Sequence, residues 1–277
     1  MFSPYYRRAR TRRATGADPA DPADHCAMNL ALYGRGCRRW TMTERGRGAL
    51  ERDDTHLRIG PSQLRWTGDT LHADIDELSV PWPRRVRGTL TLQPLAWHGL
   101  DFDLDDAALH RWLPYAPCAR VEVAFTQPRL RWSGHAYFDG NAGDAPLESG
   151  FARWHWSRAR DAHGATRVLY EARRRDGSDR LLSLAFTPDG DCREMPAPPS
   201  QALSRTGWRI ARATRADAPG ARVVRTLEDT PFYARSELAT HVDGRPAAAV
   251  HESLDLNRFT ATTTQLMLPF RMPRRAG

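Results

Sequence analysis

The chain has 277 residues and a formal charge of +8, and its 41 basic positions are all Arg. That length can bury one large or two modest cores, and Trp 9, Phe 9 and Tyr 7 supply the bulk to fill them, which excludes wholesale disorder. The excess charge gathers at the ends (Arg7, Arg8, Arg10, Arg12 and Arg13; Arg271, Arg274 and Arg275), and no basic element is interleaved with stacking aromatics, so no nucleic-acid partner is expected. Those ends suit an anionic membrane surface instead, at about 1 kcal/mol per well-placed Arg. No 18-residue apolar run and no signal-peptide core occur. Cys26, Cys37, Cys118 and Cys192 are widely spread, with no CxxC or CxxH spacing. The expectation is a reduced, cytoplasmic protein with no structural zinc.

In chain order, Ala14 to Asp24 is rich in Pro and Asp and reads as a connector. Alternation then takes over. Leu64 and Trp66, then Leu71, Ala73 and Ile75, flank Gly68-Asp69 as a hairpin. Val86, Gly88, Leu90 and Leu92 form the next strand, and Val121, Val123 and Phe125 another. Leu182, Leu184 and Phe186 follow, between Asp-Gly turns at 176–177 and 189–190. Phe232 to Leu238 turns at Asp243-Gly244 into Ala248, Val250 and Glu252. Helical spacing is scarce, with short turns expected only at Asp105 to Trp112 and Ser253 to Phe259. Gly and Pro interrupt the pattern at Asp144 to Glu148. This predicts a mostly β protein with two β domains, residues 1–143 and 144–277, built as antiparallel sandwiches or barrels.

There is no GxGxxG after a strand, no P-loop, no GxSxG and no HExxH, so neither a nucleotide cofactor nor a catalytic metal is expected. The informative stretch is LRWSGHAYFDGNAG, Leu130 to Gly143. As a strand it puts Leu130, Trp132, Gly134, Ala136 and Phe138 on one face, and Ser133, His135, Tyr137 and Asp139 on the other. An aromatic ring and a carboxyl group two residues apart suit an acid acting on a hydrocarbon. Asp139-Gly140-Asn141 also spells an ordinary turn, and spacing alone favours the turn. His110 and Trp112 share a face if extended and diverge if helical; a buried Trp beside a satisfied His is the plainer reading. Trp154-His155-Trp156 reads as core, and His25-Cys26 is no nucleophilic pair, because strand neighbours point apart.

Several blocks resemble the carotenoid 1,2-hydratases, or hydroxyneurosporene synthases. They are Asp24 to Gly34 (DHCAMNLALYG), Trp40 to Gly48 (WTMTERGRG), Tyr137 to Asn141 (YFDGN) with Gly143-Asp144 and Pro146-Leu147-Glu148, Thr226 to Ser236 (TLEDTPFYARS), and Met267 to Arg274 (MLPFRMPR). The resemblance spans nearly the whole chain in family order. It implies two lipocalin-like β domains side by side, and the addition of water to the terminal double bond of acyclic carotenes such as neurosporene or lycopene, without cofactor or metal. The family's acid falls on Asp139, with Tyr137, His110 and Trp112 in supporting roles. Peripheral attachment to the inner or intracytoplasmic membrane is expected, because carotenes dissolve in bilayers. The rival from another class is a lipid or carotenoid carrier on the same scaffold, which would return its ligand unchanged. A further rival is another cation-type or pericyclic enzyme of this architecture.

Such hydration starts with a proton placed on the less substituted alkene carbon, leaving a tertiary cation. An exposed Asp, with a pKa of about 3.9, would be ionised at neutral pH. Burial raises that value, and aromatic faces stabilise the cation. His110 would either keep Asp139 acidic or take the proton of the attacking water. At the N-terminus, Phe2-Ser3-Pro4-Tyr5-Tyr6 matches a block that the family precedes with a Trp- and Tyr-rich segment. Met1 is therefore expected to be an internal valine codon read as a start, against the plainer alternative of a genuinely shorter chain.

Overall fold

The structure, a computed structural model, describes residues 2–13, 20–34 and 36–275. Met1, on which the expectation of a missing opening segment rests, lies outside the described residues, as do residues 14–19 of the connector. A first helix, α1 (Pro4–Arg13), precedes β1 (Cys26–Leu32), β2 (Arg39–Arg45), β3 (Leu50–Arg52), β4 (His56–Ile59), β5 (Ser62–Thr67), β6 (Thr70–Leu78) and β7 (Arg85–Pro94). Next come β8 (Phe102–Asp103), β9 (His110–Gln127), β10 (Arg129–Gly143), the one-turn helix α2 (Leu147–Gly150), β11 (Phe151–Arg160), β12 (Thr166–Arg174) and β13 (Asp179–Phe186). The chain continues through β14 (Cys192–Glu194), β15 (Ser200–Leu203), β16 (Arg212–Arg215), β17 (Arg222–Asp229), β18 (Tyr233–Val242) and β19 (Arg245–Asp255). It closes with α3 (Leu256–Thr260), α4 (Thr262–Arg271) and β20 (Arg274–Arg275).

The sheets run β1-β2-β20, then β10-β9-β7-β6-β5-β4-β3 with β8 on β9, then β14-β13-β12-β11-β19-β18-β17, with β15 and β16 paired separately. These orders are linear, and the short β20 runs parallel to β2 beside otherwise antiparallel ladders. The expected mostly β, antiparallel protein is therefore what forms. Its hairpins follow the local turn chemistry. At Asp243-Gly244 both residues have positive φ, 51° and 71°, as a two-residue primed turn requires, and Val242 faces Arg245 across it. Helix is confined to short pieces. The segment at Asp105 makes a turn and then extends from His110, whereas α3 begins at Leu256, directly after β19.

The chain divides into two compact units. The first is Met1–Pro94, Arg120–Ala136 and Gln265–Gly277; the second is Leu95–Ala119 and Tyr137–Thr264. Both long strands β9 and β10 contribute residues to each unit, and the 143/144 position read from the sequence falls within the second unit. The first unit's core is Ile75, Val86, Val121, Val123 and Phe125, with Met28, Leu30 and Leu32 packed on it. Gly88 lets β7 approach β9, because a Cβ there would stand 2.5 Å from Phe125 Cα. In the same unit Arg45 donates to Glu77 at 2.7 Å, and Ser62 Oγ donates to the other Glu77 oxygen at 2.9 Å; all three side chains are buried.

In the second unit, pairing of Trp156 with Tyr170 and with Glu252 places these three on one face of the sheet. Ser157 pairs with Leu169 and His251, and Ala159 with Ala249, on the opposite face. Ala159, Leu203, Leu238 and Ala249 form the core on that side.

Candidate active site

The candidate residues lie in the second unit, where β9 starts and β10 ends. The strand reading of Leu130 to Gly143 holds through Asp139-Gly140-Asn141, so the turn suggested by that tripeptide is replaced by extended chain. Tyr137 and Asp139 therefore share a face. The start of β9 is extended too, with His110 and Trp112 buried and Arg111 between them exposed. That settles the choice between extended and helical in favour of a shared face.

Trp112 has no exposed surface. Its ring contacts Phe102 at 5.4 Å, Tyr170 at 5.6 Å and Phe186 at 6.2 Å between centroids. Its indole N–H donates to Asp139 Oδ2 at 2.7 Å, and the Tyr137 hydroxyl donates to the same oxygen at 3.1 Å. One carboxyl oxygen thus takes two donors, and among the described residues no side chain donates to Oδ1. Tyr137 stands edge-on to Trp156 at 5.3 Å, with the Arg158 guanidinium 5.2 Å from its ring centre. Tyr170 donates to Asn141 Oδ1 at 3.4 Å.

Burial pushes the Asp139 pKa above the usual carboxylate value, and the negative charge of Glu252 pushes the same way. The bonds from Trp112 and Tyr137, and the charge of Arg158, pull against that rise without cancelling it. Burial, then the neighbouring Asp139 charge, hold the Tyr137 phenol well above its normal value, so it acts as a donor rather than a phenolate. Burial also lowers the pKa of Arg158.

His110 stands two residues before Trp112 on β9, but its ring nitrogens face elsewhere. Nδ1 meets Asp105 Oδ2 at 2.7 Å and Nε2 meets the Ala145 carbonyl at 3.1 Å. Its ring packs edge-on to Phe151 at 5.0 Å, and a Cβ on Gly143 would lie 3.0 Å from it. It therefore ties the segment after β10 to the loop before β9. The structure thus joins Asp139, Tyr137 and Trp112 by direct hydrogen bonds and leaves His110 bound to other partners.

Sequence reading missed Tyr170, Arg158 and Glu252 as neighbours of this group. Arg158 follows Trp156 by two residues, a spacing that could have marked it. Tyr170 and Glu252 carry no local signal, because strand pairing brings them opposite Trp156. His25 is bound to Glu44 at 2.8 Å, away from Cys26. Among the described residues no group of three or more His, Cys, Asp or Glu side chains is placed to hold a metal ion.

The sequence profile of the family described as carotenoid hydratase CrtC matches residues 1–277. An acyclic carotenoid 1,2-hydratase of Thiocapsa roseopersicina is 51% identical over 100% of this chain and 67% of its own length. That of Rubrivivax gelatinosus is 48% identical over 100% of this chain and 68% of its own. The Cereibacter sphaeroides protein of the same name is 41% identical, with 100% and 96% covered. A solved Nitrosomonas europaea structure carrying the name AttH superposes with a TM-score of 0.55 at 14% identity, over 75% of this chain and 71% of that one. This last likeness speaks to the fold alone.

Proposed function

We propose, from the premise that this chain belongs to the carotenoid hydratase CrtC family, that it adds water to the terminal C1–C2 double bond of an acyclic carotene such as neurosporene or lycopene. The observation that carries the reading is the carboxyl group of Asp139, raised in pKa by burial and held through one oxygen by Trp112 and Tyr137. With Oδ2 accepting two bonds, the acidic proton belongs on Oδ1. It passes to the less substituted alkene carbon, forming a C–H bond and breaking O–H, while the π pair leaves a tertiary cation. A water oxygen then bonds to the cation, and the proton it sheds returns to the Asp139 carboxylate. The acid is regenerated, and the atoms balance with alkene and water alone.

The aromatic faces of Trp112, Tyr137 and Trp156 would stabilise the cation, at about 2 kcal/mol or more each when desolvated. His110 has both nitrogens engaged, which supports a positioning role over that of water base. Since a carotene is dissolved in lipid, the protein would work at a membrane surface, attached by its Arg-rich ends. No helix among the described residues is long and apolar enough to cross a bilayer.

The test is incubation of the full chain and of Asp139→Asn with lycopene in detergent, followed by product mass. The wild-type product should gain one water. The Asn variant should stay folded and lose nearly all activity. More than about a tenth of the wild-type rate, equivalent to roughly 1.4 kcal/mol in the barrier, would mean that another acid acts. Lycopene bound but returned unchanged by the wild type would establish a carrier instead.

A further inference from the structure

In the first unit, large apolar side chains stand in solvent at two places that the fold joins. Leu266, Met267 and Phe270 project from α4, Phe270 at 77% exposure, while Thr264 and Leu268 turn inward. A helix packed on a globular core ordinarily presents polar side chains on its outer face, and this one presents hydrocarbon there. The second place is Trp82, 75% exposed in the turn between β6 and β7. Its exposure is built in. Pro81 and Pro83 flank it, and the Ser79 N–H donates to the Arg84 carbonyl at 2.9 Å. The Ser79 hydroxyl and the Arg84 N–H both donate to the Trp82 carbonyl, at 2.5 and 2.9 Å. A turn so fixed presents the indole at little cost in ordering.

Trp40, at the start of β2, links the two places. Its carbonyl accepts from the Val80 N–H at 2.9 Å, and its indole N–H donates to the Arg271 carbonyl at 3.2 Å. The Arg271 guanidinium lies 4.5 Å from the centre of the same ring. The segments that meet here, residues 32–43, 79–85 and 261–272, contain no Asp or Glu. They contribute Arg38, Arg84 and Arg271, the first two exposed. Indole and phenyl rings beside arginines, with no acid among these segments, match the interface of an anionic bilayer. Rings partition there to headgroup depth, and guanidinium groups meet phosphate.

We propose that this face docks the first unit on an anionic lipid surface, with Trp82 and Phe270 set among the lipids and Arg38, Arg84 and Arg271 at the headgroups. It rests on the membrane attachment read above and gives that attachment a place. The arginines draw the chain in, and the two rings hold it there. The reaction assigned to Asp139, in the second unit, takes no part.

The experiment is sedimentation of the full chain with vesicles of phosphatidylcholine, with and without phosphatidylglycerol, at one moderate salt concentration. The wild type should bind the anionic vesicles. The double variant Trp82→Ser, Phe270→Ser should keep the wild-type Tm, since both rings are exposed, and bind them at least tenfold more weakly. Arg84→Glu should weaken binding at least threefold. Lipids brominated in the acyl chain should quench the tryptophan fluorescence of the bound wild type, and Trp82→Phe should remove at least half of that quenching. Equal binding by the double variant would leave attachment to the arginines alone and overturn the face. Quenching unchanged in Trp82→Phe, or a wild type that ignores both kinds of vesicle, would overturn it too. A wild-type dimer lost in the double variant, with no vesicle binding, would give the face to a second copy instead.

Discussion

Asp139 holds its place under opposed influences. Burial and Glu252 favour the neutral acid, whereas the donors Trp112 and Tyr137 favour the carboxylate. Both donors fix the direction of the carboxyl group through Oδ2, and both lower its pKa. If Asp139 is the acid of the proposed hydration, its active form is protonated, and activity should be lost as pH rises through its elevated pKa. Tyr137→Phe removes a bond that stabilises the carboxylate, so the alkaline limb of the pH–rate profile should move to higher pH as the maximal rate falls. A limb that stays put or moves down would show that Tyr137 does not tune this acid. The same balance bears on stability. A carboxyl with a raised folded pKa contributes stability that is present below its unfolded value and lost as pH rises through the folded one. Asp139 therefore strains the fold near neutrality, and Asp139→Asn is expected to melt no lower than wild type there.

At the scale of elements, buried polar groups bind strands across each unit. Glu77 on β6 ties Arg45 on β2 to Ser62 on β5. Glu77→Ala leaves the buried guanidinium without its carboxylate, and such a loss costs about 3–5 kcal/mol. Urea unfolding should report that range, and a change below about 1 kcal/mol would show that water replaces the carboxylate freely. On the far face of the second unit's sheet, His155 and His251 stack at 5.8 Å, and both reach Ser253 Oγ, at 2.9 and 3.1 Å. Burial, with His155 and Arg212 adding, takes His251 from 6.5 down to about 3. The folded state thus keeps it neutral while the unfolded chain binds a proton below 6.5. Its contribution to stability is complete above 6.5 and falls as pH drops toward about 3. In His251→Phe, Tm should decline less between those limits than in wild type; identical slopes would place the titration elsewhere.

For the whole molecule, the surface matters most. Leu266, Met267 and Phe270 on α4 are exposed, Phe270 at 77%, in the same C-terminal stretch as Arg271 and Arg275, whereas Arg274 is paired with Asp24 and Glu44. Apolar side chains beside arginines suit an anionic lipid surface. The chain should sediment with anionic vesicles at low salt and come off at high salt. Equal binding to neutral vesicles at every salt concentration would assign attachment to the apolar residues alone.

Alternation and turn chemistry are local, so the sequence by itself determined most strands and hairpins, including Gly68-Asp69 and Asp243-Gly244. Family blocks suggested the membership and pointed to Asp139, Tyr137, His110 and Trp112. Other features depended on pairing between distant residues. Nothing near Asp139 in the chain announces Tyr170 or Glu252; both arrive because β12 and β19 flank β11. His110 sits two residues from Trp112, yet the fold gives it to Asp105 and Ala145. The tripeptide Asp139-Gly140-Asn141 favours a turn in isolation and is held extended in a sheet, because pairing along β10 outweighs a weak local preference. Local pattern thus decided where the strands are, and tertiary pairing decided which side chains meet, since hydrogen-bonded register alone brings residues far apart in sequence onto one face.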